Sequence, residues 1–214
     1  MKITLYHHRG ACSLAPLVAL EESGLDFELV VVNLAGDRTA YRQVNPAGKV
    51  PALVIDDELL TENVAILYRI ATTTPAAGLL PVEPPAASRQ LSLMAWFGST
   101  LHILRRQVRM PLRFTADMAA QTKLVEDGRP KMWEALQELE RRLGDHDWFG
   151  GATFGVADGY ALVFYDWGLA DDFPMEELTR LAEWRTRMLA RPAVRAALRQ
   201  HAGPLHAVVM EQAA

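Results

Sequence analysis

Along residues 3–71 the spacing of apolar side chains switches between a period of about two and a period of about 3.6, as short strands alternating with amphipathic helices do. Residues 3–6 read as a short buried strand. Residues 13–23 read as a helix, with Leu14, Leu17, Val18 and Leu20 on one stripe and Gly24 as its stop signal. Residues 27–32 are strand-like, and a polar stretch over 33–39 leads to a short helix at 41–44 and the turn Asn45-Pro46-Ala47-Gly48. Residues 51–55 and 58–61 flank Asp56-Asp57 as a hairpin, and 63–71 close the series as a helix. The order is βαβ-α-ββα. The long crossover favours a parallel pair and the hairpin an antiparallel one.

The pattern changes after residue 71. Residues 72–88 are rich in Thr, Pro, Ala and Gly, with prolines at 75, 81, 84 and 85, and read as a connector. Beyond it the period is helical over 89–113, 117–143, 156–169, 175–189 and 193–199, with Pro111 expected to end or kink the first of these. The expected fold class is therefore an α/β domain over residues 1–78 and an all-helical bundle over 86–214, joined by 79–85. A length of 214 residues suits two cores, and 50% hydrophobic with 22% charged residues excludes a disordered chain.

Charge and cysteine usage narrow the function classes. A net charge of −4 without a long basic run gives no footprint for nucleic acid. No apolar stretch approaches the ~18 residues of a membrane span, and His7, His8 and Arg9 interrupt the N-terminus before any signal-peptide core. The single cysteine, Cys12, excludes an internal disulfide and fits a reducing compartment, so a cytoplasmic location is expected. The six histidines show no metal-ligand spacing, and no metal is expected.

Candidate chemistry gathers at four places. Cys12 lies where a strand hands over to a helix, with Pro16 in the first turn, and the free amides of such an end stabilise a thiolate, its own or that of a bound thiol. The same residue reads as a small buried hydrophobe. Val50-Pro51 opens a strand; a cis bond there would expose the Val50 backbone to an extended ligand, while a trans proline would simply begin an edge strand. Thr61-Glu62-Asn63 either caps a helix with an acidic turn or offers donors to a carboxylate and Glu62 to an ammonium. Ala95, Ser99, His102 and Arg106 share one helix face, beside Arg105, Arg109 and Arg113, and this reads either as a solvated face or as donors for a thiolate and for carboxylates.

Three segments in order, Gly10-Ala11-Cys12-Ser13-Leu14, Val44 through Leu53 (VNPAGKVPAL) and Leu60 through Ile66 (LTENVAI), resemble the cytosolic glutathione transferases, and the Cys-Ser start resembles their bacterial Beta class. The resemblance spans nearly the whole chain. It implies a thioredoxin-like N-terminal domain that binds glutathione and a helical domain that supplies the site for a small hydrophobic electrophile. Cys12, Ser13 and His102 would then form the catalytic group around the sulfur. Val50, before a cis Pro51, would pair with the cysteinyl backbone, Glu62 and Asn63 would hold the γ-glutamyl end, and Ser99 and Arg38 would complete the glutathione site. The family pattern also implies a homodimer. Alternative readings are a glutathione-dependent thiol–disulfide oxidoreductase or peroxidase, or a non-catalytic binding protein on the same fold.

Four departures from that pattern stand out. Gly155 replaces the Ser or Thr that usually caps the helix beginning Val156-Ala157-Asp158. Asp37, beside Arg38, stands where a carboxylate-binding Lys is usual. Asn63 replaces Ser or Gly, and Ile103 follows His102 in place of Lys. Selection of the electrophile is expected to rest on helical-domain side chains such as Leu104, Val108, Leu112 and Phe114.

Overall fold

A computed structural model describes residues 1–212. Its first part contains β1 (Ile3–His7), α1 (Leu14–Ser23), β2 (Glu28–Val31), α2 (Thr39–Val44), β3 (Ala52–Ile55), β4 (Glu58–Thr61) and α3 (Asn63–Thr73). The sheet order is β2-β1-β3-β4. Leu5 pairs with Leu29 across the parallel β1–β2 ladder and with Leu53 across the antiparallel β1–β3 ladder. The expected βαβ-α-ββα order and strand directions are both found. The crossover through α1 is long enough to return the chain parallel, and Asp56, in the left-handed region at φ 52, makes the tight β3–β4 turn.

The helical part comprises α4 (Pro84–Trp96), α5 (His102–Arg109), α6 (Met118–Leu143), α7 (Val156–Ala170), α8 (Thr179–Ala190), α9 (Pro192–Arg199) and α10 (Pro204–Glu211). Four boundaries differ from the periodicity reading. Pro84 and Pro85 open α4, where the missing N–H costs nothing, although the same prolines read as connector. The single helix expected over 89–113 carries a π-helical turn at Phe97–Leu101 and breaks at Met110 before Pro111. Met175 starts a 3₁₀ turn, so α8 begins at Thr179. Helix α10 has no counterpart in the periodicity reading.

Helix α7 is the axis of the molecule. Every residue from Val156 to Gly168 is buried, so it is apolar nearly all round rather than amphipathic. It packs against α1, and Gly159 lets the two backbones approach: a Cβ there would stand 3.3 Å from Val18 Cγ1 and 3.5 Å from the Ala15 carbonyl. Trp167 on α7 donates its indole N–H to the Gly10 carbonyl at 2.9 Å, which anchors the β1–α1 loop from the helical side. Arg191 clamps Glu22 of α1 through two bonds of 2.6 and 2.7 Å.

The start of α7 accounts for the glycine at its cap. The buried Asp158 carboxylate accepts from the Gly155 N–H (2.9 Å), the Phe149 N–H (3.0 Å) and the Trp184 indole (2.9 Å). Burial raises its pKa to about 6 against the pull of these donors. A Cβ at Gly155 would lie 2.9 Å from the Gln90 amide and 3.0 Å from the Leu79 carbonyl. The space a capping serine needs is occupied by Gln90.

Candidate active site

The site forms where the β1–α1 loop, the segment before β3 and the start of α3 meet α4, the π-helical turn, α5 and α7. Cys12 is at its centre. The thiol is 7% exposed and lies 3.8 Å from the Val50 carbonyl. The Cys12 and Ser13 amides have no acceptor among the described residues, as befits the first turn of a helix. Burial nevertheless dominates and pushes the Cys12 thiol up to about 11, with the Asn63 amide and Arg106 acting in the opposite direction. Stabilisation of a thiolate by the helix end therefore does not extend to Cys12's own sulfur, which stays protonated at neutral pH.

Ser13 requires a correction. Its side chain is fully buried beneath the loop, with Oγ 2.9 Å from His7 Nδ1 and accepting from the His8 N–H at 3.1 Å. The hydroxyl lines neither cavity beside Cys12. With φ −66 and ψ −4, Ser13 already has helical geometry, its side chain is turned toward β1, and its backbone N–H has no acceptor among the described residues.

The Val50–Pro51 bond is cis. The turn leading into it is held by Asn45, which donates to the Lys49 carbonyl at 2.8 Å and accepts from the Ala47 N–H at 3.1 Å, while Gly48 takes the left-handed φ of 60. Glu62, exposed at the cap of α3, also has a positive φ, 68, which is uncommon for a residue with a side chain. Asn63 is buried and donates to the Cys12 carbonyl at 3.3 Å, tying α3 to the thiol loop.

Two adjoining cavities share Cys12, Lys49, Val50, His102 and Arg106. One, of about 450 Å³, is closed by Pro51, Glu62, Asn63, Ser99 and Tyr160. Ala95, Ser99, His102 and Arg106 all line it, as their common helix face implies. The other, of about 470 Å³, extends past Gly10 and Arg38 to Trp167, Met110 and the arginines of α5. Arg38 donates to the Gly48 carbonyl at 3.2 Å, whereas Asp37 folds onto the Thr39 N–H and hydroxyl at 2.8 and 2.6 Å. Of the side chains expected to select the electrophile, Leu104 and Val108 pack inward and Leu112 and Phe114 are exposed outside both cavities. Arg105 and Arg109, three and seven residues after His102 on α5, share its face and take the lining with Met110 and Arg113 instead.

His102 packs edge-on against Trp167, with ring centroids 5.2 Å apart. Burial, then Arg106, Arg105 and Arg113, lower its pKa to about 4, so the ring is neutral at pH 7. Arg106 approaches His102 Nε2 at 3.5 Å, and because an arginine only donates, this contact favours the ring proton on Nδ1. Trp167, Tyr160 and Arg9 complete the walls without having been singled out from the sequence; Trp167 and Tyr160 reach the cleft only through the packing of α7, and Arg9, in the same loop as Cys12, carries no spacing signal.

Two family models match the chain: the glutathione S-transferase N-terminal domain over residues 1–72 and the glutathione S-transferase C-terminal domain over residues 93–192. The chain belongs to the glutathione S-transferase family. Glutathione S-transferase GstA of Escherichia coli O157:H7 is 36% identical, over 91% of this chain and 96% of its own length. The structure of a sphingomonad glutathione S-transferase complexed with glutathione superposes with a TM-score of 0.80 at 37% identity, covering 92% of this chain and 98% of that one. A bacterial beta class glutathione S-transferase of Sphingomonas chungbukensis gives 0.81 at 36% identity, with the same coverage. The Beta-class resemblance carried by residues 10–14 is thereby borne out, and Gly155, Asp37, Asn63 and Ile103 are variations within a glutathione S-transferase. Among the described residues no helix is long and apolar enough to cross a membrane.

Proposed function

We propose that this cleft binds glutathione and presents its thiolate to a small electrophile, giving a thioether. The observation that carries the reading is the meeting of the free α1 amides, the Cys12 thiol, the Val50 backbone and His102 on the wall common to two cavities. In this reading glutathione lies along residues 49–51 and pairs with Val50 as an added strand would. Glu62 accepts from the γ-glutamyl ammonium, while the α3 amides beginning at Asn63 and the Ser99 hydroxyl meet its carboxylate. Arg38 and Lys49 take the glycyl carboxylate. Asp37, occupied with Thr39, does not compete with them.

Activation is electrostatic. The glutathione sulfur sits beside the Cys12 and Ser13 N–H groups, the Cys12 S–H as donor, a neutral His102 and the positive charge of Arg106, all of which favour thiolate over thiol. With a pKa near 4, His102 acts as a hydrogen-bond partner and not as the base. The thiol proton leaves to solvent, sulfur bonds to the electrophilic carbon, and the leaving group departs with its electron pair. A thiol–disulfide role for Cys12 is disfavoured by its raised pKa. The protein is proposed to act as a cytoplasmic homodimer, as its family pattern implies. Glutathione-dependent turnover of an aryl halide and of a small mixed disulfide, in wild type and Cys12→Ala, tests the reading. Conjugation that largely survives the substitution supports it, and absence of glutathione binding in the wild type overturns it.

A further inference from the structure

The charge of the larger cavity is unlike that of the chain. The protein carries a net −4, yet this cavity is walled by Arg9 from the β1–α1 loop, Arg105, Arg106 and Arg109 from α5, and Arg113 from the turn after α5, with no Asp or Glu in its lining. Among the described residues the only carboxylate bonded to this group is Asp171, 2% exposed behind the wall, and it is shared by Arg105 at 2.9 Å and Arg109 at 3.1 Å. One negative charge therefore answers two arginines. Arg9, Arg106 and Arg113 have no ion-pair partner among the described residues. Glutathione accounts for Arg106, beside its sulfur, but not for Arg9 and Arg113: its two carboxylates are met by Arg38 and Lys49 at one end and by the α3 start and Ser99 at the other. Trp167, 4% exposed at the cavity floor, is covered by the Arg105 guanidinium, 3.9 Å from its ring centroid, so it fixes Arg105 in the wall.

We propose that the second substrate of this transferase is an anionic electrophile, an arenecarboxylate among them, whose carboxylate is held by Arg9, Arg109 and Arg113. The inference rests on the transferase reading of the same cleft. Its chemical logic is that a thiolate and an anionic electrophile repel each other, so a neutral pocket would disfavour their encounter. A wall of guanidinium groups offsets that repulsion and continues to do so as negative charge develops on the attacked ring. The step is aromatic substitution: sulfur bonds to the ring carbon that bears chlorine, chloride leaves with the C–Cl electron pair, and the thiol proton goes to solvent.

The test compares chlorodinitrobenzoate with chlorodinitrobenzene, each kcat/KM divided by the uncatalysed rate, in wild type and in the double variant Arg9→Gln/Arg113→Gln. Wild type should favour the benzoate about tenfold, and the double variant should lose about tenfold on the benzoate while keeping the neutral halide within about twofold. Added salt should slow the benzoate reaction alone. An unchanged ratio between the two halides in the double variant overturns the proposal. If neither halide reacts, the transferase reading fails separately, and quenching of tryptophan fluorescence by unreactive dinitrobenzoate decides the inference: binding weakened about tenfold in the double variant supports it, and equal binding overturns it.

Discussion

Cys12 is the residue a chemist would modify first, and its burial sets how slowly it reacts. An ordinary thiol of pKa 9.0 is about one part in thirty thiolate at pH ~7.5, whereas a value of about 11 leaves about one part in three thousand, a hundredfold less. The rarer thiolate is intrinsically more nucleophilic, and a Brønsted coefficient of about 0.45 over this interval returns roughly eightfold. The net expectation is alkylation at least about tenfold slower than that of free glutathione, before the 7% exposure of the side chain adds its own obstruction. Arg106→Gln removes a charge that favours the thiolate and should slow the reaction further. A stopped-flow series with a small maleimide across pH, with free glutathione as reference, gives both the rate and its inflection. A rate equal to that of glutathione, or an inflection below pH ~8, would refute the assignment of Cys12 as a protonated donor.

The packing leads to three further outcomes. Asp158→Ala leaves three buried N–H donors unpaired, at about 1–3 kcal/mol each, against a total stability of about 5–15 kcal/mol, so urea unfolding should show a loss of several kcal/mol or no soluble protein at all; a loss under about 1 kcal/mol would contradict this. Gly155→Ser should not raise Tm even though serine is the better cap, because Gln90 fills its space; a gain in the single variant, rather than only with Gln90→Ala added, would refute the steric account. Burial lowers His7 and His102 to about 4 and His201 to about 3, so the unfolded chain takes up protons first below the ordinary 6.5, and the stability these rings provide above that pH is lost on acidification. Asp158 and Asp166, raised to about 6, have the opposite sign and return stability as pH falls through that value. The urea midpoint should thus drop between pH ~7 and ~6 and more gently below, with a steeper drop in Asp166→Asn, and a flat profile would contradict these burial effects.

Much of this was readable in the order of residues. Elements with a clear period, such as α3 and α6, are readable from side-chain spacing because one face of each is buried, whereas α1 and α7 are readable as apolar runs buried on nearly all sides. The turn chemistry at 45–48 and the helix end at Cys12 are equally local. What escaped depends on context. Pro84-Pro85 can start a helix or break the chain, and only the packing of α4 decides between the two. The π-helical turn leaves no compositional mark, and that Leu104 and Val108 pack into the core while Arg105 and Arg109 face the cavity depends on what α5 packs against. The Ser13 hydroxyl is turned toward β1 by its backbone geometry and the upward shift of Cys12 comes from desolvation, neither of which spacing reports.

Glutathione bound in this cleft should titrate as a thiol well below its value in free solution, because the α1 amides, the Cys12 S–H and Arg106 all favour its thiolate. Ultraviolet difference absorbance of the bound thiolate, followed across pH in wild type and in Cys12→Ala, measures that shift. A bound thiol that ionises at least about one pH unit below free glutathione, with most of the shift retained in Cys12→Ala, is the predicted result. A bound thiol that ionises at the same pH as in free solution would contradict it.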